Sequence, residues 1–120
     1  IPLGSLPAER DFLSSSTFSS AEMNVGICRI KLHISDSRSL KDKRRIVKSV
    51  VSRLRNQYNI SIAEVDDQDL WQLVTLGISC VSNHNQHVDE ILSKVVSFVT
   101  SNYPELEIVD HQTEILSGPR

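Results

Sequence analysis

The residues best suited to chemistry in this chain are its cations. Between positions 36 and 55 stand Arg38, Lys41, Lys43, Arg44, Arg45, Lys48, Arg53 and Arg55, against only Asp36 and Asp42, a local net charge of +6. At about 100° per residue, Lys41, Arg44, Arg45, Lys48 and Arg55 fall on one flank of a helix, with Arg38 just ahead of its first turn. Such a flank attracts phosphates, and the amides and positive dipole end at the helix start strengthen the attraction. These six residues are the candidate nucleic-acid-binding set. The plainer alternative is a solvated face that answers acidic groups of the same molecule or of a second subunit.

Other constellations are weaker. Arg29, Lys31 and His33 alternate along a strand and form a second basic surface. Glu64, Asp66, Asp67 and Asp69 crowd a turn, with Trp71 beside them, as a candidate contact for a partner or a cation. They lack the glycine and spacing of a calcium loop, and plain alternation sends Glu64 and Asp66 to one face. The simpler reading is turn chemistry, with Trp71 anchoring the hairpin or a dimer contact. His84 and His87 have no third ligand at suitable spacing, so no metal site is assigned. Cys28 and Cys80 are read as small core fillers rather than a redox pair. An arginine before the first helix, here Arg38, is where an acylphosphatase grips phosphate, but that family's glycine-rich loop is missing. No nucleophile elbow, P-loop or dinucleotide fingerprint appears. The chain is therefore read as non-enzymatic, without catalytic residues or cofactor.

The elements that must position these residues follow from periodicity. Cys28, Ile30, Leu32 and Ile34 alternate with Arg29, Lys31 and His33, which predicts a strand from Asn24 to Ser35 with one basic face. Ser39 with Asp42 reads as a capping box opening a helix over about Leu40–Tyr58. Ile60–Asp66 and Trp71–Ser82 are predicted as a hairpin across a tight Asp67-Gln68-Asp69 connection. A cap within Asn83 to Gln86 opens a second helix ending near Asn102, and Leu106–Leu116 supplies the fourth strand. The order βαββαβ, with one-faced strands, predicts a ferredoxin-like α+β fold: a four-stranded antiparallel sheet carrying two helices on one face. Right-handed crossovers put strands one and three in the centre.

Composition agrees with one small domain. The 120 residues are 39% hydrophobic and 23% charged, which fits a globular chain rather than a disordered one. Apolar residues never run beyond two in a row, so no membrane helix or secretory core is expected. Two cysteines are too few for a disulfide framework, and a reducing, cytoplasmic setting is expected. The net charge of −2 conceals the asymmetry noted above, because residues 56–120 carry a net of −8. Residues 1–22, with six serines, read as a flexible extension or expression-derived segment ahead of a natural start at Met23. The domain is placed at 23–116, with 117–120 as a loose tail.

Several stretches resemble the YlxP-like family of small bacterial proteins, domain of unknown function 503. They are Asn24-Val25-Gly26, the run Ser39-Leu40-Lys41-Asp42-Lys43-Arg44-Arg45, the run from Ala63 through Glu64-Val65-Asp66-Asp67-Gln68-Asp69-Leu70-Trp71 to Gln72, Leu76-Gly77, and Val81-Ser82-Asn83. The resemblance runs from Met23 to about Leu116, with Asp42 where glutamate is usual. It implies a ferredoxin-like domain, and a gene neighbourhood of transcription and translation functions implies an RNA or ribosome role; it implies no catalytic residues. With so few exposed aromatics, binding is expected through phosphate backbone rather than base stacking. The expected partner is structured RNA or a ribosomal subunit. The alternative is a homo-oligomeric ligand- or protein-interaction domain, a homodimer for instance, without any nucleic-acid role.

Overall fold

Strict alternation from residue 24 onward gives the first strand two chemically different faces. In the computed structural model, which describes residues 23–118, β1 spans Asn24–Ile34, with its even-numbered residues buried. The expectations for 1–22 and 119–120 lie outside the described residues. Helix α1 follows at Leu40–Gln57, strands β2 and β3 at Ser61–Asp66 and Leu73–Ser82, helix α2 at Asn85–Asn102, and β4 at Leu106–Ser117. All pairings are antiparallel, in the order β2-β3-β1-β4. This is the expected ferredoxin-like βαββαβ arrangement, with β1 and β3 central and β2 and β4 as edges. β4 reaches one residue past the expected boundary, and the Gly118 amide closes on the Met23 carbonyl at 2.6 Å.

Both helices bury their stripes on the even-numbered face of β1. Val50 and Leu54 of α1 and Val88, Leu92, Val95 and Val99 of α2 meet Cys28, Ile30, Leu32, Leu76 and Ile78. Gly26 lets α2 settle close, since a Cβ there would collide with Val88 and come within 2.8 Å of Leu92. The start of α1 is capped as expected: Ser39 Oγ accepts the Asp42 amide at 3.1 Å, and Asp42 Oδ2 accepts the Arg38 amide. The start of α2 differs, because its cap is His84 without any side-chain bond. Between the helices, the Arg53 guanidinium lies over the rings of Phe98 and Tyr103 and donates to the Tyr103 hydroxyl at 3.2 Å. No helix among the described residues is long and apolar enough to cross a membrane.

The β2–β3 connection is longer than expected, since β3 starts at Leu73 rather than Trp71. It is held from both sides of the sheet. On the helix side Lys43 is 1% exposed, and its ammonium donates to the carbonyls of Asp67 at 2.7 Å, Gln68 at 3.2 Å and Leu73 at 3.0 Å. Three protons serve three carbonyls. The Glu64 carboxylate, 2.9 Å away and without a hydrogen bond at its buried oxygen, balances the ammonium by charge.

On the open side Asp67, in the left-handed region at φ 63°, accepts the Thr75 hydroxyl at 2.7 Å and lies 3.5 Å from Lys31. The Thr75 hydroxyl holds the Asp67 carboxyl below the usual range against a smaller opposing effect of burial, and the Lys31 and Lys43 charges add to it. Gln72 fixes the end of the loop through its side-chain amide, which donates to Ser35 O at 3.3 Å and Ser37 O at 3.1 Å.

Two tests follow from this two-sided clamp. Lys43→Met removes the donor from three carbonyls and the countercharge from Glu64, so urea unfolding should show a loss of about 3–5 kcal/mol; wild-type stability would refute the clamp. For Asp67 the folded pKa is lowered, so its contribution is present above the unfolded value of about 3.9 and is lost as pH falls through the folded one. The stability gap between wild type and Asp67→Asn should therefore be widest at neutral pH and close below about pH 4. A gap that does not change with pH would contradict it.

Candidate functional site

The clamp and the interhelix contacts divide the cations of α1 by position. Lys43 is enclosed, Arg53 is held by two rings, Arg45 pairs with Asp42 at 3.0 Å, and Arg55 donates to Ile62 O at 2.9 Å. Arg38, Lys41, Arg44 and Lys48 are exposed, and among the described residues their side chains have no ion pair or hydrogen bond. The expected flank therefore exists, with Arg45 and Arg55 partly occupied within it. Arg55 shares the arc of Lys41, Arg44 and Lys48 and reaches Ile62, so the row runs beside the edge strand β2. From Lys41 to Lys48 it rises about 10 Å, the axial length of about three phosphate steps on one strand of a duplex.

Lys43, like Arg53, is a member of the cationic run that sequence reasoning left without a role. A signal was available, because Lys43, Val47, Val50 and Leu54 fall at i, i+4, i+7 and i+11, the phase of the buried stripe. A lysine at that phase must carry its charge into the interior and find acceptors there.

The second basic surface is less available. Arg29, Lys31 and His33 do share the open face of the sheet, but Lys31 lies beside Asp67 at 3.5 Å, and His33 Nδ1 lies 3.7 Å from Glu107. Arg29 is exposed between Gly77 and Gln112. These three and the helix flank lie on different sides of the sheet and do not form one surface.

The acidic cluster does not form one site. Plain alternation would put Glu64 and Asp66 on one face, but a bulge at Val65 shifts the register so that Glu64 opposes Leu76 and Asp66 opposes Thr75. Glu64 turns under α1 to Lys43, whereas Asp67 serves Thr75 and Lys31 on the open side. The bulge also lays Val65 over Gly77, where a Cβ would come within 2.8 Å of it. Asp66 Oδ1 accepts the Asp67 amide, and Asp69 is exposed. Among the described residues, no three His, Cys, Asp or Glu side chains are grouped as metal ligands would be.

Trp71 does not anchor the hairpin, since it is 55% exposed; Lys43 and Gln72 do that work. With His33, Asp69, Leu70, Gln72 and Leu73 it lines an open groove of about 660 Å³ at one end of the open face. His84 and His87 are exposed at the start of α2. Cys28 and Cys80 are free and buried, and burial pushes both thiols up, away from the thiolate a nucleophile needs. Arg38 stands in a loop whose carbonyls are taken up by Gln72 and by the Ser37 hydroxyl.

Comparison with known proteins identifies the lineage without assigning an activity. Residues 25–113 match the family model described as protein of unknown function, DUF503. A curated relative, the uncharacterized protein YlxP of Bacillus subtilis (strain 168), is 36% identical over 90 residues, which cover 75% of this chain and 97% of the relative. Among solved structures, the de novo designed protein Foldit4 aligns with TM-score 0.44 and 10% identity over 82% of this chain and 99% of its own. LarC2, the C-terminal domain of a cyclometallase, aligns with TM-score 0.40 and 11% identity over 80% and 56%. Likeness at that level carries no functional argument, whereas the family match spans most of the described residues. The chain belongs to the DUF503 family, which it shares with YlxP.

Proposed function

We propose that this protein is a non-enzymatic cytoplasmic module that binds the phosphate backbone of structured RNA, in the ribosomal subunits for example, through the outer flank of α1. One observation carries the reading: Lys41, Arg44 and Lys48 stay exposed and unpaired among the described residues, on a helix whose other cations are mostly engaged. Exposed lysines and arginines in a row release counterions when phosphates replace them, which supplies affinity without base recognition. Arg38 and the first amides of α1 lie at one end of the row and favour a phosphate there.

The open face offers little to stack on, since the central positions of β1 and β3 there are Arg29, Lys31, Thr75, Gly77 and Ser79. Recognition is then of charge and shape, as for duplex RNA. The acidic residues of β4, Glu107, Asp110 and Glu114, lie on the edge opposite β2, so the molecule presents its cationic side to a polyanion and turns its anionic side away.

Charge reversal separates the exposed cations of the flank from the engaged ones. Lys41→Glu combined with Lys48→Glu should weaken binding to structured RNA or to isolated ribosomal subunits by about 10–100-fold at low salt, with the fold intact by circular dichroism. Lys31→Glu, on the paired surface, should have a much smaller effect. Equal affinity for wild type and the double variant would overturn the reading.

A further inference from the structure

Among the described residues, every large apolar side chain left exposed belongs to a strand, to the residue before β1 or to the β2–β3 loop; none belongs to a helix. Ile27, Val81 and Leu116 lie toward one end of the open sheet face, and Val65, Leu70 and Trp71 toward the other. A one-layered sheet with this much uncovered apolar surface marks an interaction site. We propose that the open face is the interface of a homodimer, in which two copies stack sheet on sheet.

The dimensions suit such a pair. Four strands at about 4.8 Å spacing, with β1 at 11 residues of about 3.3 Å each, give a footprint of roughly 700 Å², close to the ~800 Å² per partner of a standard interface.

The charges on the face fit a second copy better than a polyanion. Lys31 is balanced by Asp67 and His33 by Glu107, so the row is largely neutralised in place, and Glu114 and Asp110 on β4 would repel phosphates.

The strand order is itself complementary to its own image. A two-fold axis parallel to the strands, running between β1 and β3, lays β1 of each copy on β3 of the other and β4 on β2. In that overlay, to within the twist of the sheets, a β1 residue faces in the second copy the β3 residue it pairs with in its own chain. Val25 then meets Val81, Arg29 meets Gly77, and Lys31 meets Thr75. Val25 and Val81 of the two copies thus form an apolar patch at one end, and Arg29 and Lys31 each face an uncharged β3 residue. The helices remain outside, which makes the dimer independent of the RNA reading.

Sedimentation of the full chain, without nucleic acid, decides the matter across low-micromolar to sub-millimolar concentrations. The expected result is a mass twice that of the 13.5 kDa chain, with the emission of Trp71, the sole tryptophan, shifting to the blue as the dimer forms. Ile27→Asp with Val81→Asp should weaken self-association at least tenfold and leave the far-ultraviolet circular dichroism unchanged. Leu116→Asp on the edge strand serves if the double variant fails to fold. Lys48→Glu should leave the mass unaltered. A single-chain mass throughout the range would overturn the proposal, as would a dimer that survives the Asp substitutions in folded protein.

Discussion

One ammonium group organises the part of this molecule that a regular sheet cannot. Between β2 and β3 the chain departs from its ladder, and one donor reaches the carbonyls of Asp67 and Gln68 in the connection and of Leu73 at the start of β3. The donor comes from α1, whose Lys43 is buried against this connection. Lys43 supplies all three protons and brings with them a charge that Glu64 balances at 2.9 Å, with the Asp67 carboxylate also in its field. The bulge at Val65 separates the two carboxylates of β2, Glu64 turning under α1 to Lys43 and Asp66 opposing Thr75. Asp67, in a left-handed conformation, places its own carboxylate on the open side against Thr75.

The same constraint divides a run of like residues into different roles. Eight cations in twenty positions look uniform in composition, yet the helix phase sends Lys43 inward, lays Arg53 over the second helix, and leaves Lys41, Arg44 and Lys48 outside. A buried lysine needs its partners for stability, whereas an exposed one without a carboxylate contributes little to folding and is free to meet an external anion. The cations of α1 lie beside β2 and the carboxylates of β4 at the opposite edge of the sheet, which turns these local assignments into a property of the whole surface.

Much of this was legible beforehand, and the reasons differ by element. The one-faced alternation of Cys28, Ile30, Leu32 and Ile34, the Ser39 cap and the apolar stripes of both helices are local signals, and they were enough to determine the strand order through the handedness of the crossovers. The β2–β3 region was not legible in the same way. A bulge is a choice of register, and β2 holds apolar residues on both alternations, so no period identifies Val65 as the extra residue. Trp71 invited an anchoring role by its size, but the loop is already held by Lys43 and Gln72 and leaves the ring outside. The flank follows from helix phase alone; which of its members have partners depends on Asp42 and Ile62 being within reach, a matter of three-dimensional distance.

The most direct test of the functional account is the salt dependence of binding by the unaltered protein. Titrating duplex-containing RNA over a series of potassium chloride concentrations gives the number of phosphates neutralised, and a row of about three cations unpaired among the described residues predicts that log K falls with log salt at a slope of about −2 to −3. A slope near zero, or no binding even at low salt, would contradict the assignment of the α1 flank to a phosphate backbone.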